Sequence, residues 1–223
     1  SPYMIVNETI FFPVDPEIPL TEATMLLDIM GTGGHAIKRS QLIHNDIESV
    51  LVAGSGPIGL GVLAMVKIIL GESIPVFITD FIPYRLEMAK KLGGIPVNLS
   101  EQKLEEVFSA NGFEGVDVTY DTTGKSVARQ QGLNALNQRG VLVCIGHGEG
   151  LDLTISPDII APERAIVGSE YFHYSELEEN LALIKKHMPY LSQIITHRYG
   201  VKDLQKAYEL FFAGDTGKVI IEQ

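Results

Sequence analysis

Two features of the chain can do chemistry together. The first is the run Gly54-Ser55-Gly56-Pro57-Ile58-Gly59, which follows the apolar segment SVLVAG and opens a stretch of helical period from Pro57 to Leu70. A turn of this kind presents free main-chain N–H groups and the positive end of a helix dipole to an anion. Each glycine has its own part to play. Gly54 permits the tight turn, Gly56 lets a pyrophosphate approach the backbone, and Gly59 lets helix and strand pack closely. The second feature is Asp80, 21 residues beyond Gly59, at the end of the apolar run PVFITD. A carboxylate there accepts hydrogen bonds from an adenosine ribose and repels a 2′-phosphate, so the expected ligand is NAD rather than NADP. Asp80 is also placed to cap the helix implied by IPYRLEMAKK, and the two roles can coexist. A glycine loop alone is a weak signal. An unliganded glycine-rich turn, or the glycine-rich turn of an S-adenosylmethionine methyltransferase, accounts for it as well.

The elements around these residues make the context. From Val50 onward, apolar runs alternate with helical periods. SVLVAG, PVFITD, GVDVTYD and GVLVCIG read as buried strands, separated by helices over Pro57 to Leu70, Arg85 to Leu92 and VARQQGLNAL. This rhythm of βαβ units predicts an α/β fold, a doubly wound parallel sheet of Rossmann type covered on both faces. LDLTI and AIVGSEYF, helices near Ser175 to Lys186 and Lys202 to Phe212, and a last strand GKVIIE complete the series. Residues 1 to about 47 break the rhythm. FFPVDPEIPLTEAT is rich in proline and acid, and Thr21 to Ile43 looks helical with Gly31 to Gly34 as an interruption.

The totals narrow the function. A formal net charge of −11 disfavours nucleic acid as a partner. No apolar run reaches membrane-spanning length, and no signal peptide is visible. The single cysteine, Cys144, reads as a buried strand residue, which suits a reducing, cytoplasmic location. The six histidines show no metal-ligand spacing. His197 reads as a turn or edge residue, and His35 as local packing or helix hydrogen bonding. Opening on Ser1 rather than Met, the chain is expected to be a piece of a longer one.

Beyond these patterns, the whole chain resembles the medium-chain dehydrogenase/reductase family, in particular its zinc-containing alcohol and polyol dehydrogenases. The stretches that carry the resemblance are MLLDIMGTGGHA, VLVAGSGPIGLG, TDFIPYRLEMAKKLGG, GVDVTYDTTG, GVLVCIGHGEG, AIVGSEYF, ITHRYGVKDLQKAYELF and GKVII. The resemblance implies a cofactor-binding half over residues 41–223, with residues 1–40 a remnant of a GroES-like catalytic domain and its linker helix. It implies hydride transfer between an alcohol or polyol and NAD. It places Asp28 at a metal-ligand position, Thr32 beside the nicotinamide, Arg85 beside the adenosine ribose and Lys218 at the pyrophosphate. Thr122, Ile145, His147, Ser169 and Tyr171 match residues that line the nicotinamide pocket.

Zinc is expected in the full-length parent rather than here, because a tetrahedral site needs three protein ligands and Asp28 is one. No cysteine precedes Cys144. A non-catalytic dinucleotide-binding module or redox sensor is the alternative reading. The resemblance also implies a homodimer or a dimer of dimers. Leu151, Leu153 and Ile155 alternate with Asp152 and Thr154, so LDLTI is expected to form an edge strand that pairs across a two-fold axis.

Overall fold

The computed structural model describes residues 5–222. Its centre is a six-stranded parallel sheet. In chain order the strands are β1 (Val50–Ala53), β2 (Val76–Asp80), β3 (Ile95–Asn98), β4 (Val116–Asp121), β5 (Leu136–Cys144) and β6 (Ala165–Gly168), and their order across the sheet is β3-β2-β1-β4-β5-β6. The direction of build-up therefore reverses between β1 and β4, which opens a crevice at the carboxyl ends of those strands. Successive side chains on a strand face opposite ways. Val50 and Val52 join one core, with Val76 and Ile78, while Leu51 and Phe77 join the other. Both faces are buried, so the strands read as continuous apolar runs rather than as alternating ones.

One face carries the longest apolar helix, α3 (Pro57–Ile69), under α2 (Thr32–Gln41) and α7 (Leu177–Leu191). The other face carries α5 (Leu104–Ala110) and α6 (Ser126–Asn134). Helix α4 (Pro83–Lys91) follows β2 and buries Met88 and Ala89. After β6, β7 (Ile195–Gly200) and β8 (Lys218–Glu222) form a separate parallel pair flanking α8 (Leu204–Ala213). His197 thus lies in a strand of a two-stranded sheet, as an edge residue.

Three expectations are corrected. First, Gly31 to Gly34 do not interrupt the helical stretch. A short α1 (Leu20–Ala23) is followed by a π-helical turn, Leu26–Gly31, that runs directly into α2. The glycines serve packing instead. A Cβ on Gly33 would lie 3.0 Å from the Gly61 carbonyl oxygen, and one on Gly61 would lie 2.7 Å from that of Ile29, so the two helices touch backbone to backbone. Second, LDLTI is not a strand. Leu151 to Thr154 are irregular and a helical turn, Ser156–Ile160, follows. The Thr154 N–H donates to Asp158 Oδ2 at 2.7 Å and the Asp158 N–H to the Thr154 carbonyl at 3.0 Å, and this reciprocal bonding overrides the alternation. On this side the sheet ends at β6, as it ends at β3 on the other. Third, His35 does not bond locally: its Nδ1 lies 2.9 Å from Glu176 Oε1, tying α2 to the segment before α7.

β3 and α5 gave no strong signal in the sequence. Pro96 and Asn98 dilute the strand, and α5 is only seven residues long.

Candidate functional site

The glycine loop leaves β1 at Ala53 and enters α3 at Pro57, the residue best suited to a first helical turn because its missing N–H has no role there. Gly54 adopts φ +91°, a left-handed conformation that strains other residues. A Cβ on Gly59 would sit 1.9 Å from the Gly54 carbonyl oxygen, so only glycine fits. Gly56 differs: nothing lies nearer to a Cβ there than Arg85 Nη1, at 3.9 Å. The loop is therefore propped from within and open above Gly56, where an anion would approach. Thr122, just past β4, props it by donating to the Ala53 carbonyl at 2.8 Å.

Asp80 ends β2 facing this loop. Its Oδ2 accepts from the Ser55 N–H at 2.9 Å and the Ser55 hydroxyl at 3.0 Å; its Oδ1 accepts from the Phe81 and Ile82 N–H groups at 2.7 and 3.0 Å. Asp80 is not the cap of α4, whose N-cap is Ile82 without a side-chain bond; the carboxylate instead orders the turn that leads into α4 together with the glycine loop. With all four lone-pair directions engaged, a ribose hydroxyl must take the place of one of these donors, and the Ser55 hydroxyl is the one free to rotate away. Arg85 is no solvated surface charge: its Nε donates to the Gly214 carbonyl at 2.9 Å, and the side chain borders the same crevice.

Three adjoining clefts share Ile58. The first, about 420 Å³, runs from Gly54, Gly56, Pro57 and Gly59 past Asp80 to Arg85. The second, about 310 Å³, gathers Asp28, Thr32, Thr122, Ile145, His147, Ser169 and Tyr171. The third, about 370 Å³, brings Asp28 and Lys218 beside Pro57 and the apolar face of α8. Every residue expected at the cofactor, the nicotinamide pocket or the metal position therefore borders one of these adjoining clefts near the switch between β1 and β4. Tyr171 holds φ +47°, a strained value for a side chain of its size. His147 is largely exposed, with Nε2 at 3.6 Å from Glu170.

The pairing of Asp28 with Lys218 was not legible in the sequence. Lys218 Nζ donates to both carboxylate oxygens, at 2.8 and 2.7 Å, across 190 positions of chain. The residue expected at a metal-ligand position and the lysine expected at the pyrophosphate hold each other. Residues that sequence reasoning missed include Ser55, Asp121, Arg129 and Glu170. Arg129 is an interior helix position with no motif, and only the fold shows that its side chain reaches the carbonyls of Gly146 and Glu149 in the loop after β5.

The crevice suits a dinucleotide, because the opening above Gly56 and the bare helix start of α3 match an extended anionic ligand. It does not suit a metal ion by itself. Among the described residues no group of three His, Cys, Asp or Glu side chains converges, and both oxygens of Asp28 are taken by Lys218.

Residues 32–222 match the family model described as glucose dehydrogenase C-terminus. Over 98% of its length the chain is 32% identical to an L-threonine 3-dehydrogenase of Edwardsiella ictaluri, and over 99% it is 30% identical to one of Alteromonas mediterranea. It spans 63% of each of these relatives. Among solved structures, 2R,3R-butanediol dehydrogenase from Bacillus subtilis superposes with a TM-score of 0.84 at 22% identity, covering 98% of this chain and 62% of that one. An alcohol dehydrogenase from E. coli CFT073, solved in complex with NADH, superposes with a TM-score of 0.80 at 20% identity, over 95% and 62% of the two chains. At these identities the structural likeness speaks for the fold. With the family model matched across nearly the whole sheet and its flanking helices, the chain belongs to the glucose dehydrogenase C-terminus family.

Proposed function

We propose that the chain is the NAD-holding part of an oxidoreductase that moves hydride between an alcohol or polyol and NAD. The observation that carries this reading is the joined crevice: a glycine loop, Asp80 at the end of β2 facing it, and a second cleft lined by Thr32, Thr122, Ile145 and Ser169, all meeting at Ile58. The first cleft takes the adenosine ribose, the bare end of α3 takes the pyrophosphate, and the second cleft takes the nicotinamide.

NAD, when bound, would supply the acceptor for the hydride that leaves as a C–H bond of the carbinol carbon breaks. The hydroxyl proton would go to solvent and a carbonyl compound would be left. The cofactor supplies this chemistry, and the chain supplies binding and orientation. The relatives' substrate, L-threonine, is a hydroxy amino acid, so an amino-acid alcohol belongs among the candidate substrates. Zinc is a property of the whole protein in this reading, and of its ligands this chain offers Asp28. Residues 1–40 are then the hand-over from a catalytic domain. The engagement of Asp28 by Lys218 favours a second reading, a dinucleotide-binding module without catalysis. Alcohol oxidation by the whole protein, measured as NADH absorbance, separates the two.

Titration of the chain with NADH and NADPH tests the cofactor. NADH should bind more tightly, and Asp80→Ala should weaken it and narrow the gap. NADPH binding as tight as NADH would remove the reading of Asp80.

A further inference from the structure

A guanidinium is seldom buried unless several acceptors hold it. Arg129, on α6, has a side chain only 12% exposed, against a fully buried Asp121. Its Nε donates to Asp121 Oδ2 at 2.8 Å, its Nη2 to the Gly146 carbonyl at 2.5 Å, and its Nη1 to the Glu149 carbonyl. Asp121 in turn is fixed at the end of β4. Its Oδ1 accepts from the Thr123 N–H and hydroxyl at 2.9 and 2.7 Å and from the Gly124 N–H at 3.2 Å, while its carbonyl accepts the N–H groups of Ile145 and Gly146. A buried pair of this kind is a poor way to gain stability compared with apolar side chains of the same volume. What it supplies is geometry.

That geometry concerns one peptide plane. The C=O and N–H of a trans peptide point in opposite directions. With the Gly146 carbonyl held by Arg129, the His147 N–H is turned away from Arg129. Arg129 borders the cleft on one side of this loop and is absent from the lining of the other, the 310 Å³ cleft that Ile145, Gly146, His147 and Ser169 share with Thr32. The loop cannot readily rotate. A Cβ on Gly146 would lie 2.3 Å from the Gly124 nitrogen, and one on Gly124 would lie 2.0 Å from the His147 carbonyl oxygen. A second observation points to a ligand: the Ser169 hydroxyl, in a residue only 7% exposed on the wall of the same cleft, has no partner among the described residues. Buried hydroxyls are ordinarily satisfied.

We propose that Arg129, aligned by Asp121, is a positioning residue that fixes the Gly146–His147 peptide as a hydrogen-bond donor to the carboxamide of a nicotinamide ring, with the Ser169 hydroxyl as a further partner. The inference rests on the dinucleotide reading and deepens it, because it assigns the nicotinamide end to a device that motif reasoning does not reveal. Arg129 touches no reacting atom.

Calorimetric titration of the intact chain with NADH and with ADP-ribose, which lacks the nicotinamide, tests it. Arg129→Gln should weaken NADH roughly fivefold, the worth of about one hydrogen bond, and leave ADP-ribose within about twofold of the wild type. Arg129→Lys keeps the charge against Asp121 but cannot span both carbonyls, so it should show the same split with less disturbance of folding. Parallel weakening of both ligands in both variants would make Arg129 a purely structural residue and overturn the proposal, as would NADH binding that neither variant changes. Equal wild-type affinity for the two ligands would overturn the carboxamide pocket and leave dinucleotide binding standing. Binding of neither ligand by the wild type would overturn the dinucleotide reading and this inference together.

Discussion

The ion pair between Asp28 and Lys218 shows how one contact can link two functions. Lys218 stands beside Pro57 and Ile58, where a pyrophosphate would lie, yet its ammonium is engaged by a carboxylate. A phosphate must compete with Asp28 for that charge. Asp28→Asn should therefore tighten NADH binding, while Lys218→Met should weaken it and abolish the effect of Asp28→Asn. The Lys218 side chain is 17% exposed and that of Asp28 42%, so solvent screens the pair. Its worth is about 0.2–1 kcal/mol, which sets the expected tightening at up to roughly fivefold. Titrations of the two single variants and the double variant would measure this directly. Asp28→Asn that leaves NADH affinity unchanged would mean the pair does not oppose the ligand. Cys144 plays no such part: it is half-buried at the end of β5, and burial pushes its thiol above the usual range, which keeps it a poor nucleophile.

Between elements, the clasp joining α6 to the loop after β5 works in both directions. Arg129 reaches from the helix to the loop carbonyls, and Glu149 reaches from the loop to the helix start. The Glu149 carboxylate accepts from Lys125 Nζ and from the Ser126 N–H, each at 2.9 Å, and from the Ser126 hydroxyl at 3.1 Å. The Lys125 hydrogen bond foremost, then the two from Ser126, push its carboxyl down to about 2 from an ordinary 4.5. A carboxyl lowered on folding contributes stability that is fully present above its unfolded value and is lost as pH falls through its folded value. The clasp should thus hold above pH 4.5 and loosen progressively toward pH 2. Thermal unfolding of the wild type and Glu149→Gln, followed across this range, should give melting temperatures that differ near neutrality and converge at the acid end. A constant gap down to the acid end would dissociate the Glu149 carboxylate from the clasp.

For the molecule as a whole, the edge of the sheet at β6 matters most. β6 is the last strand and, among the described residues, has no neighbour on its outer side. Leu153, Ile155 and Ile160, in the segment leading to it, are exposed at 39%, 57% and 65%. An unpaired edge beside apolar side chains invites a symmetric partner. We expect a dimer joined there, with the segment around LDLTI packing rather than pairing as a strand in the isolated chain. Sedimentation at tens of micromolar should report the dimer, and a double substitution Leu153→Glu with Ile160→Glu should yield a folded monomer. A wild-type monomer at that concentration would exclude the arrangement.

The sequence by itself determined most strands of the sheet, its parallel sense and the place of the crevice. These follow from local signals: buried apolar runs, helical periods between them, and a loop whose glycines at 54 and 59 are dictated by a left-handed φ and a backbone contact. The position of Asp80 facing that loop was legible for the same reason, since it ends the next strand of the sheet. The tertiary structure alone decided which distant side chains meet. Lys218 reaches Asp28 over 190 residues, and His35 reaches Glu176 over 141. The glycines from 31 to 34 read as a break, whereas in the fold Gly33 meets Gly61 where two helices touch. LDLTI alternated like a strand, yet one pair of bonds between Thr154 and Asp158 turned it into a helical approach. Periodicity encodes which face a residue shows to its own element. It carries no record of what the opposite element, folded from a remote stretch of chain, brings to meet it.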